Sequence, residues 1–430
     1  MPTVENTTNP TLADAVMRHV NGERLLQAIA TLAAFGGRTD GGVSRETLTD
    51  IDLQARQHLV AQARALGCSV EIDDCANLFF RRAGRRDLPP VMTGSHVDTQ
   101  PVGGQLDGAY GVLAGLEVLQ ALHDADVTTE RPIEVVVWTN EEGSRFGPGC
   151  MGSSAYVDPT RLPDYREVRD AQQERFGDAV DRAVQALAGV PRRSPRQPLS
   201  AFVELHIEQG PVLENAGVPL GVVTGIQSVR WYRVKVSGVA AHAGTTPMDS
   251  RTDAMAACIQ MAHRLYAEAA QHRSRGLRLT LGRWVVGPNS INTIPGEVEF
   301  TIDMRCVDEA VLDAFDAAMR EVLHSTSGHT GVELTPIFAR APTHFPPSMT
   351  AVVQQACAQA SALAGRAAPI ELTSGAFHDA MYLADHCPTA MLFVPSQHGI
   401  SHNAAEATAA ADLVLGAQAL AHAVTSLANA

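Results

Sequence analysis

Seven acids and imidazoles sit where chemistry can be done. His96 and Asp98 follow the apolar run PPVMTGS, and Asp107 stands just before Gly108 at the start of a helical pattern. Glu141 and Glu142 follow IEVVVWTN, His206 lies in FVELHIEQG, and His402 lies in HGISHN downstream of TAMLFVP. Imidazole nitrogens and carboxylate oxygens hold divalent cations. Two histidines and a carboxylate, with one carboxylate shared to a second ion, hold a pair about 3.5–4 Å apart. Adjacent glutamates on an extended chain point opposite ways, so one can bind metal while its neighbour faces a water. No His-Glu-x-x-His motif is present, which disfavours a helix-borne single-zinc protease. Each residue alone has a plainer reading: Asp107 as an N-cap, Glu141-Glu142 as a solvated loop, a lone histidine as a satisfied core group. Their recurrence, each at the end of a different apolar run, favours a metal site.

The elements that must position these groups alternate. Residues 11–67 read as helices around a Gly-rich loop, GGRTDGGVSRE, and CSVEIDDCANLFFRR as one or two strands. LPPVMTGSHVD, IEVVVWTN, AFVELHIEQG and TAMLFVP read as strands; the β-branched run in the second marks burial on both faces. Leu113, Leu116, Leu119 and Leu122 recur at helical spacing between Tyr110 and His123. Strand–helix alternation of this kind predicts an α/β domain with a largely parallel sheet, whose ligands sit at the carboxyl ends of the strands. Residues 157–200 are charged, with helical patterning around EVRDAQQERFGDAVDRAVQAL and a basic Pro-rich link, VPRRSPRQP, and read as a solvated surface excursion. From about Gly225 the order becomes strand (SVRWYRVKVSG), helix (250–272), two strands around PNSINTIP, helix (308–324), strand (VELTPIFAR). That is β-α-β-β-α-β, a ferredoxin-like split βαβ sandwich. A helix over 347–364, the strand and loop ELTSGAFHDA and a closing helix over 406–428 follow. The expected organisation is a discontinuous catalytic domain, 1–222 and 340–430, interrupted by a smaller domain at 223–339.

Composition narrows the class. The chain has 430 residues, with 33 Lys and Arg against 47 Asp and Glu, for a net charge of −14. At 45% apolar and 19% charged it can build a core, which excludes intrinsic disorder. The acidic balance argues against nucleic acid and anionic membrane as partners. Seven scattered cysteines without Cys-x-x-Cys suit a reducing compartment. The Leu25–Phe35 stretch is interrupted by Gln27 and preceded by Glu23, so it reads as an amphipathic helix and not a signal peptide. No run approaches 18 apolar residues, so no membrane span is expected. A cytoplasmic location follows, in which the Asn6-Thr7-Thr8 sequon has no meaning.

At these same residues the chain resembles the hydantoinase/carbamoylase branch of the two-metal aminoacylase and carboxypeptidase-type metallopeptidase superfamily. That branch includes N-carbamoyl-L-amino acid hydrolases, β-ureidopropionases and allantoate amidohydrolases. The matching segments are TGSHVDTQPVGGQLDGAYGVLAGLE, WTNEEGSRFGPGCMGS, VELHIEQGPVLE, VSGVAAHAGTTPMDSRTDA, GPNSINTIPGEVEFTIDMR and ISHNAAE, in family order from residue 93 to 406. The resemblance implies two divalent ions per subunit, with His96, Asp107 and His206 on one and Asp107, Glu142 and His402 on the other. It implies Glu141 as general base and Asp98 as the carboxylate that orients the ligand imidazole. It implies Gln209, His242, Asn292 and Arg305 as substrate contacts, and a homodimer through the smaller domain. Gly375, Ala376 and Phe377 also match substrate-side positions. Here the chain departs from the family, which usually has Gly-Ala-Gly-His-Asp-Ala where this sequence has Gly375-Ala376-Phe377-His378-Asp379-Ala380. His398 receives no role.

The implied reaction cleaves a small ureido acid, an N-carbamoyl-L-amino acid, to amino acid, ammonia and carbon dioxide. Arg305 would hold the substrate carboxylate bidentately, and His242 would donate to the developing oxyanion. Closure on substrate is expected near Gly221–Gly225 and Arg340–Pro342. Allantoate amidohydrolase and β-ureidopropionase are the nearest alternatives, since all take ureido acids. An aminoacylase or dipeptidase fits HIEQGPVLE less well. A non-catalytic binding protein that kept the fold would be marked by loss of a ligand or of the base, and none is lost. Zinc is the first expectation for the ions; manganese, cobalt and nickel suit the same donors.

Overall fold

The computed structural model describes residues 11–430; the Asn6-Thr7-Thr8 sequon lies outside them. The chain divides into two compact units, one formed by residues up to Thr224 together with Phe345–Ala430, the other by Gly225–His344. In chain order the strands are β1 (Ser69–Ile72), β2 (Leu78–Arg82), β3 (Val91–His96), β4 (Ile133–Trp138), β5 (Ala201–Ile207), β6 (Gly221–Ile226), β7 (Ser228–Ser237), β8 (Ala241–His242), β9 (Arg278–Gly287), β10 (Thr293–Ile294), β11 (Glu297–Cys306), β12 (Gly331–Arg340), β13 (Thr343–His344), β14 (Ile370–Ser374) and β15 (Thr389–Val394).

In the first unit the sheet runs β1-β2-β4-β3-β5-β15-β6, with β14 also on β6. Its centre, β4-β3-β5-β15, is parallel. Every residue of those four strands is buried, the apolar ones in the core and polar ones such as Glu134, Glu204 and His206 among them. Each such Val or Leu stabilises the fold by about 1.5–3 kcal/mol relative to exposure. The flanks are antiparallel: β1 on β2, β2 on β4, β6 on β15. The sheet is therefore mixed, with a parallel centre formed by the strands that lead into the site. The helix at Ala109–Asp124 buries Leu113, Leu116, Leu119 and Leu122 together. The helix at Ala410–Ala428 is long and apolar enough to cross a membrane, yet it lies packed in this core.

Three local expectations change. Gly108, not Asp107, caps the helix that begins at Ala109, with φ +63° and no side-chain cap. The last helix begins at Ala410 and not at Glu406, because the Glu406 side chain is drawn to the N–H groups of Leu106 and Asp107. The 157–200 stretch is more than a solvated excursion. It contributes a helix at Phe176–Ala186 that buries Phe176, Ala179, Val180 and Ala183, with Phe176 packed edge-on to Phe146.

The second unit is an antiparallel sheet ordered β12-β7-β11-β9, with helices at Ala254–Gln271 and Glu309–Thr326 over an apolar core. Asp253 and Asp308 cap those helices, each accepting two backbone N–H bonds. β8 and β10 form a separate two-stranded ribbon in the same unit, pairing His242 with Thr293. All seven cysteines are free and buried.

Candidate metal centre

β3 ends at His96 and β5 ends just past His206, and the parallel register brings both imidazoles to the carboxyl edge of the sheet. Two donor groups form there: His96, Asp107 and His206, and Asp107, Glu142 and His402. Asp107 belongs to both. Its Oδ1 lies 3.1 Å from His206 Nε2 and 3.7 Å from His96 Nε2, and its Oδ2 lies 3.2 Å from His402 Nε2. Glu142 Oε2 is 3.3 Å from His402 Nε2, and Glu141 Oε2 is 3.4 Å from His96 Nε2.

The donor chemistry fits divalent cations. His96 Nδ1 lies 2.9 Å from the Asp98 carbonyl, and His206 Nδ1 lies 2.8 Å from the Ile207 carbonyl. Each Nδ1 therefore carries the proton, which leaves the Nε2 lone pair toward Asp107. The Gly108 N–H points at His206 Nε2 from 3.1 Å, which marks that nitrogen as an acceptor. Gly108 has to be glycine: a Cβ there would stand 2.3 Å from His96 Nε2.

The electrostatics also fit. Burial works to raise the Asp107 carboxyl, but without cations the rings of His206, His402 and His96 take up a second proton at Nε2, and their hydrogen bonds outweigh burial and hold the group well below the usual carboxylate range. Burial, then the charge of Asp107, pushes Glu142 up to about 7. Burial pushes Glu141 well above its ordinary value; His96 opposes this, while Asp379, Glu142 and Asp107 add to it. The hydrogen bond to Asp107 lifts His402 to about 9 against its burial. Crowded by burial and by each other without cations, Glu141 and Glu142 hold protons they would otherwise lose.

Asp98 sits elsewhere in the network than a simple orienting carboxylate. Its backbone carbonyl, not its carboxylate, is the close partner of His96 Nδ1; the carboxylate oxygen is 3.7 Å away. The carboxylate instead accepts the N–H groups of Glu141 and Glu142, both at 3.3 Å. Gln209, with φ +56°, donates Nε2 to Asp107 Oδ2 at 2.8 Å and to Ser401 Oγ at 3.2 Å. Gly375, Ala376 and Phe377 lie between β14 and a short helix at Ala380–Leu383. The next residue, His378, is buried and packs edge-on to His206 with ring centroids 4.5 Å apart.

The other three expected substrate contacts belong to the second unit. His242 Nδ1 accepts from the Gly244 and Thr245 N–H groups, which leaves its proton on Nε2. Asn292 accepts from Ser290 Oγ at 3.0 Å, and its carbonyl accepts the Ala243 N–H. Arg305 is held bidentately by Asp303, with Nη2 at 2.8 Å and Nε at 2.9 Å.

Several supporting groups were not singled out from sequence. Gln100 occupies both Glu142 oxygens, through its N–H at 3.1 Å and its Nε2 at 2.7 Å. The Cys150 thiol lies 3.5 Å from Glu141 Oε1. Arg45, fully buried, donates to the carbonyl of Val97, between His96 and Asp98, and to those of Leu32 and Phe35. Glu204, two residues before His206, accepts from Ser95 Oγ and the Ala380 N–H. The one available signal was position: Glu204, Ser95 and Gln100 all lie within four residues of a ligand-bearing strand end.

Residues 92–426 match the family described as peptidase family M20/M25/M40. The chain is 39% identical over 414 residues to an N-carbamoyl-L-amino acid amidohydrolase of Geobacillus stearothermophilus, covering 95% of this chain and 99% of that one. It is 35% identical over 399 residues to an allantoate amidohydrolase of Escherichia coli, covering 92% and 95%. A crystal structure of an amidase of the hydantoinase/carbamoylase family from Burkholderia vietnamiensis superposes with TM-score 0.86 at 41% identity, covering 96% and 98%. With the match spanning both halves of the donor set, from His96 to His402, the chain belongs to peptidase family M20/M25/M40 and stands among its amidohydrolases.

Proposed function

We propose that the protein is a metal-dependent amidohydrolase that cleaves N-carbamoyl-L-amino acids to amino acid, ammonia and carbon dioxide. The observation that carries this reading is the pair of donor triads sharing Asp107, with the carboxylate of Glu141 beside them. His96, Asp107 and His206 would hold one ion, and Asp107, Glu142 and His402 the other. Two such ions would supply Lewis acidity and offset the charge of the clustered carboxylates. Zinc is the first candidate, and manganese, cobalt or nickel would be accepted by the same oxygens and nitrogens.

Glu141 takes a proton from the attacking water as the C–O bond forms and delivers it to the amino-acid nitrogen as the C–N bond breaks. The carbamate released then decomposes to ammonia and carbon dioxide. Asp98 acts by fixing the main chain of Glu141 and Glu142. His242 donates from Nε2 to the oxyanion, Arg305 holds the substrate carboxylate, and Gln209 and Asn292 orient the ureido group. Gly375 to Phe377 border the substrate side chain, with Phe377 filling space a glycine would leave open. The inserted unit, Gly225–His344, acts as lid and as homodimer contact. In support, its edge strand β9 exposes Val285, and its helix Ala254–Gln271 exposes Ile259 and Tyr266, seven residues apart on one face.

The similarity to an allantoate amidohydrolase at 35% identity favours a second reading, allantoate hydrolysis by the same residues. β-Ureidopropionase activity belongs to the same chemical set. Ammonia release from a panel of N-carbamoyl-α-amino acids, N-carbamoyl-β-alanine and allantoate, with Mn and Zn added separately, decides among them. Preference for N-carbamoyl-L-amino acids is expected. No ammonia from any of these by metal-loaded protein would refute the amidohydrolase reading.

A further inference from the structure

Glu406 closes the segment ISHNAAE and has no part in the function proposed above. Only 3% of it is exposed. Its Oε1 accepts the N–H groups of Leu106 at 2.9 Å and Asp107 at 3.1 Å. Its Oε2 accepts from Ser401 Oγ at 2.9 Å, and Ser401 Oγ also lies 3.1 Å from Asp107 Oδ2. Glu406 thus reaches Asp107 twice, directly at the backbone and through Ser401 at the carboxylate. The loop before Asp107 is shaped to admit it: a Cβ on Gly104 would stand 2.1 Å from Glu406 Oε1 and 2.2 Å from Cδ.

Asp107 is the residue both donor triads share, and its two oxygens face different imidazoles. A small rotation of that carboxylate would spoil both sites at once. Glu406 also lies four residues after His402, so one side chain ties the His402 loop to the Asp107 loop. Burying a further carboxylate beside Asp107 adds negative charge where it is already crowded, and bound cations would offset that cost. We propose that Glu406 is a positioning residue of the metal centre, fixing the main chain of Asp107 and, through Ser401, the plane of its carboxylate. This rests on the metal-centre reading above.

The test is calorimetric titration of metal-stripped protein with manganese, alongside circular dichroism for folding. Wild type is expected to take up two ions. Glu406→Ala is expected to bind them about 10–100-fold more weakly, the usual effect of losing a group that holds a ligand in place. Glu406→Gln keeps an Oε1 acceptor for the two N–H groups and should recover most of that loss. Gly104→Ala, which crowds Glu406 from the opposite side, should reproduce the Ala variant. Wild-type affinity in Glu406→Ala overturns the proposal, as does a Gln variant no better than Ala at equal melting temperature. If Glu406→Ala does not fold, Ser401→Ala decides: weaker binding supports the proposal and unchanged binding overturns it. Wild-type protein that takes up no manganese overturns the metal-centre reading itself, and this inference with it.

Discussion

The roles of Glu141 and Glu142 separate through their neighbours. Glu142 has both oxygens engaged by Gln100 and lies against His402, while Glu141 faces His96 with a weak thiol donor behind it. Glu141→Gln should therefore lower kcat by about 10²–10⁴-fold, the range for losing a general base. It should leave metal content per chain unchanged, as measured by elemental analysis. Protonation gives a second expectation. Before metal loading, Glu142 releases its proton near pH 7 and His402 near pH 9, both above their ordinary values. A raised carboxyl or imidazole favours the folded state while protonated, and that contribution fades as pH climbs through the raised value. Metal-free protein should thus lose stability between about pH 5 and pH 9, while metal binding, which needs both groups deprotonated, should tighten over the same interval. The gain in Tm on adding manganese should be larger at pH 8 than at pH 6, and a gain independent of pH would contradict this account. At the residue scale the donors His96, Glu142, His206 and His402 were legible in sequence because each lies at or after an apolar strand, and Asp107 because it stands at a helix start. Gln100, Cys150 and Arg45 were not, because their partners lie 42, 9 and 52 residues away and only the folded chain brings them together.

At the scale of elements, the parallel centre β4-β3-β5-β15 does the positioning, and alternating strands and helices made it readable. The antiparallel flanks were not readable, because short apolar runs carry no sign of direction. The start of the helix at Ala109 shows how tightly element and site are joined. Its cap residue Gly108 holds a positive φ against the face of His96. Gly108→Ala should abolish stoichiometric metal binding in calorimetric titration, since a Cβ would both strain the backbone and displace the imidazole. Behind the site, Arg56 and Asp52 form an ion pair with neither side chain exposed. Arg56→Met leaves the carboxylate buried without its partner and should cost about 3–5 kcal/mol in denaturant unfolding.

At the scale of the molecule, the expected insertion of a split βαβ unit rested on a change of pattern near Gly225, and the second unit has that strand and helix order. If it carries the dimer contact, paired substitutions Ile259→Asp and Tyr266→Asp should convert dimer to monomer in sedimentation while leaving metal stoichiometry intact. A dimer that survives both would remove this helix face from consideration. The division of the first unit around the second bears on how the chain is made. β15 lies between β5 and β6, so the central sheet has a gap until residue 394 has left the ribosome. The inserted unit is continuous and can finish earlier. During that interval β5 and β6 present unpaired edges, the kind of surface on which nascent chains aggregate. Protein stalled before β15 should therefore engage chaperones or precipitate, even though six of the seven acids and imidazoles described first, His96 through His206, are already synthesised.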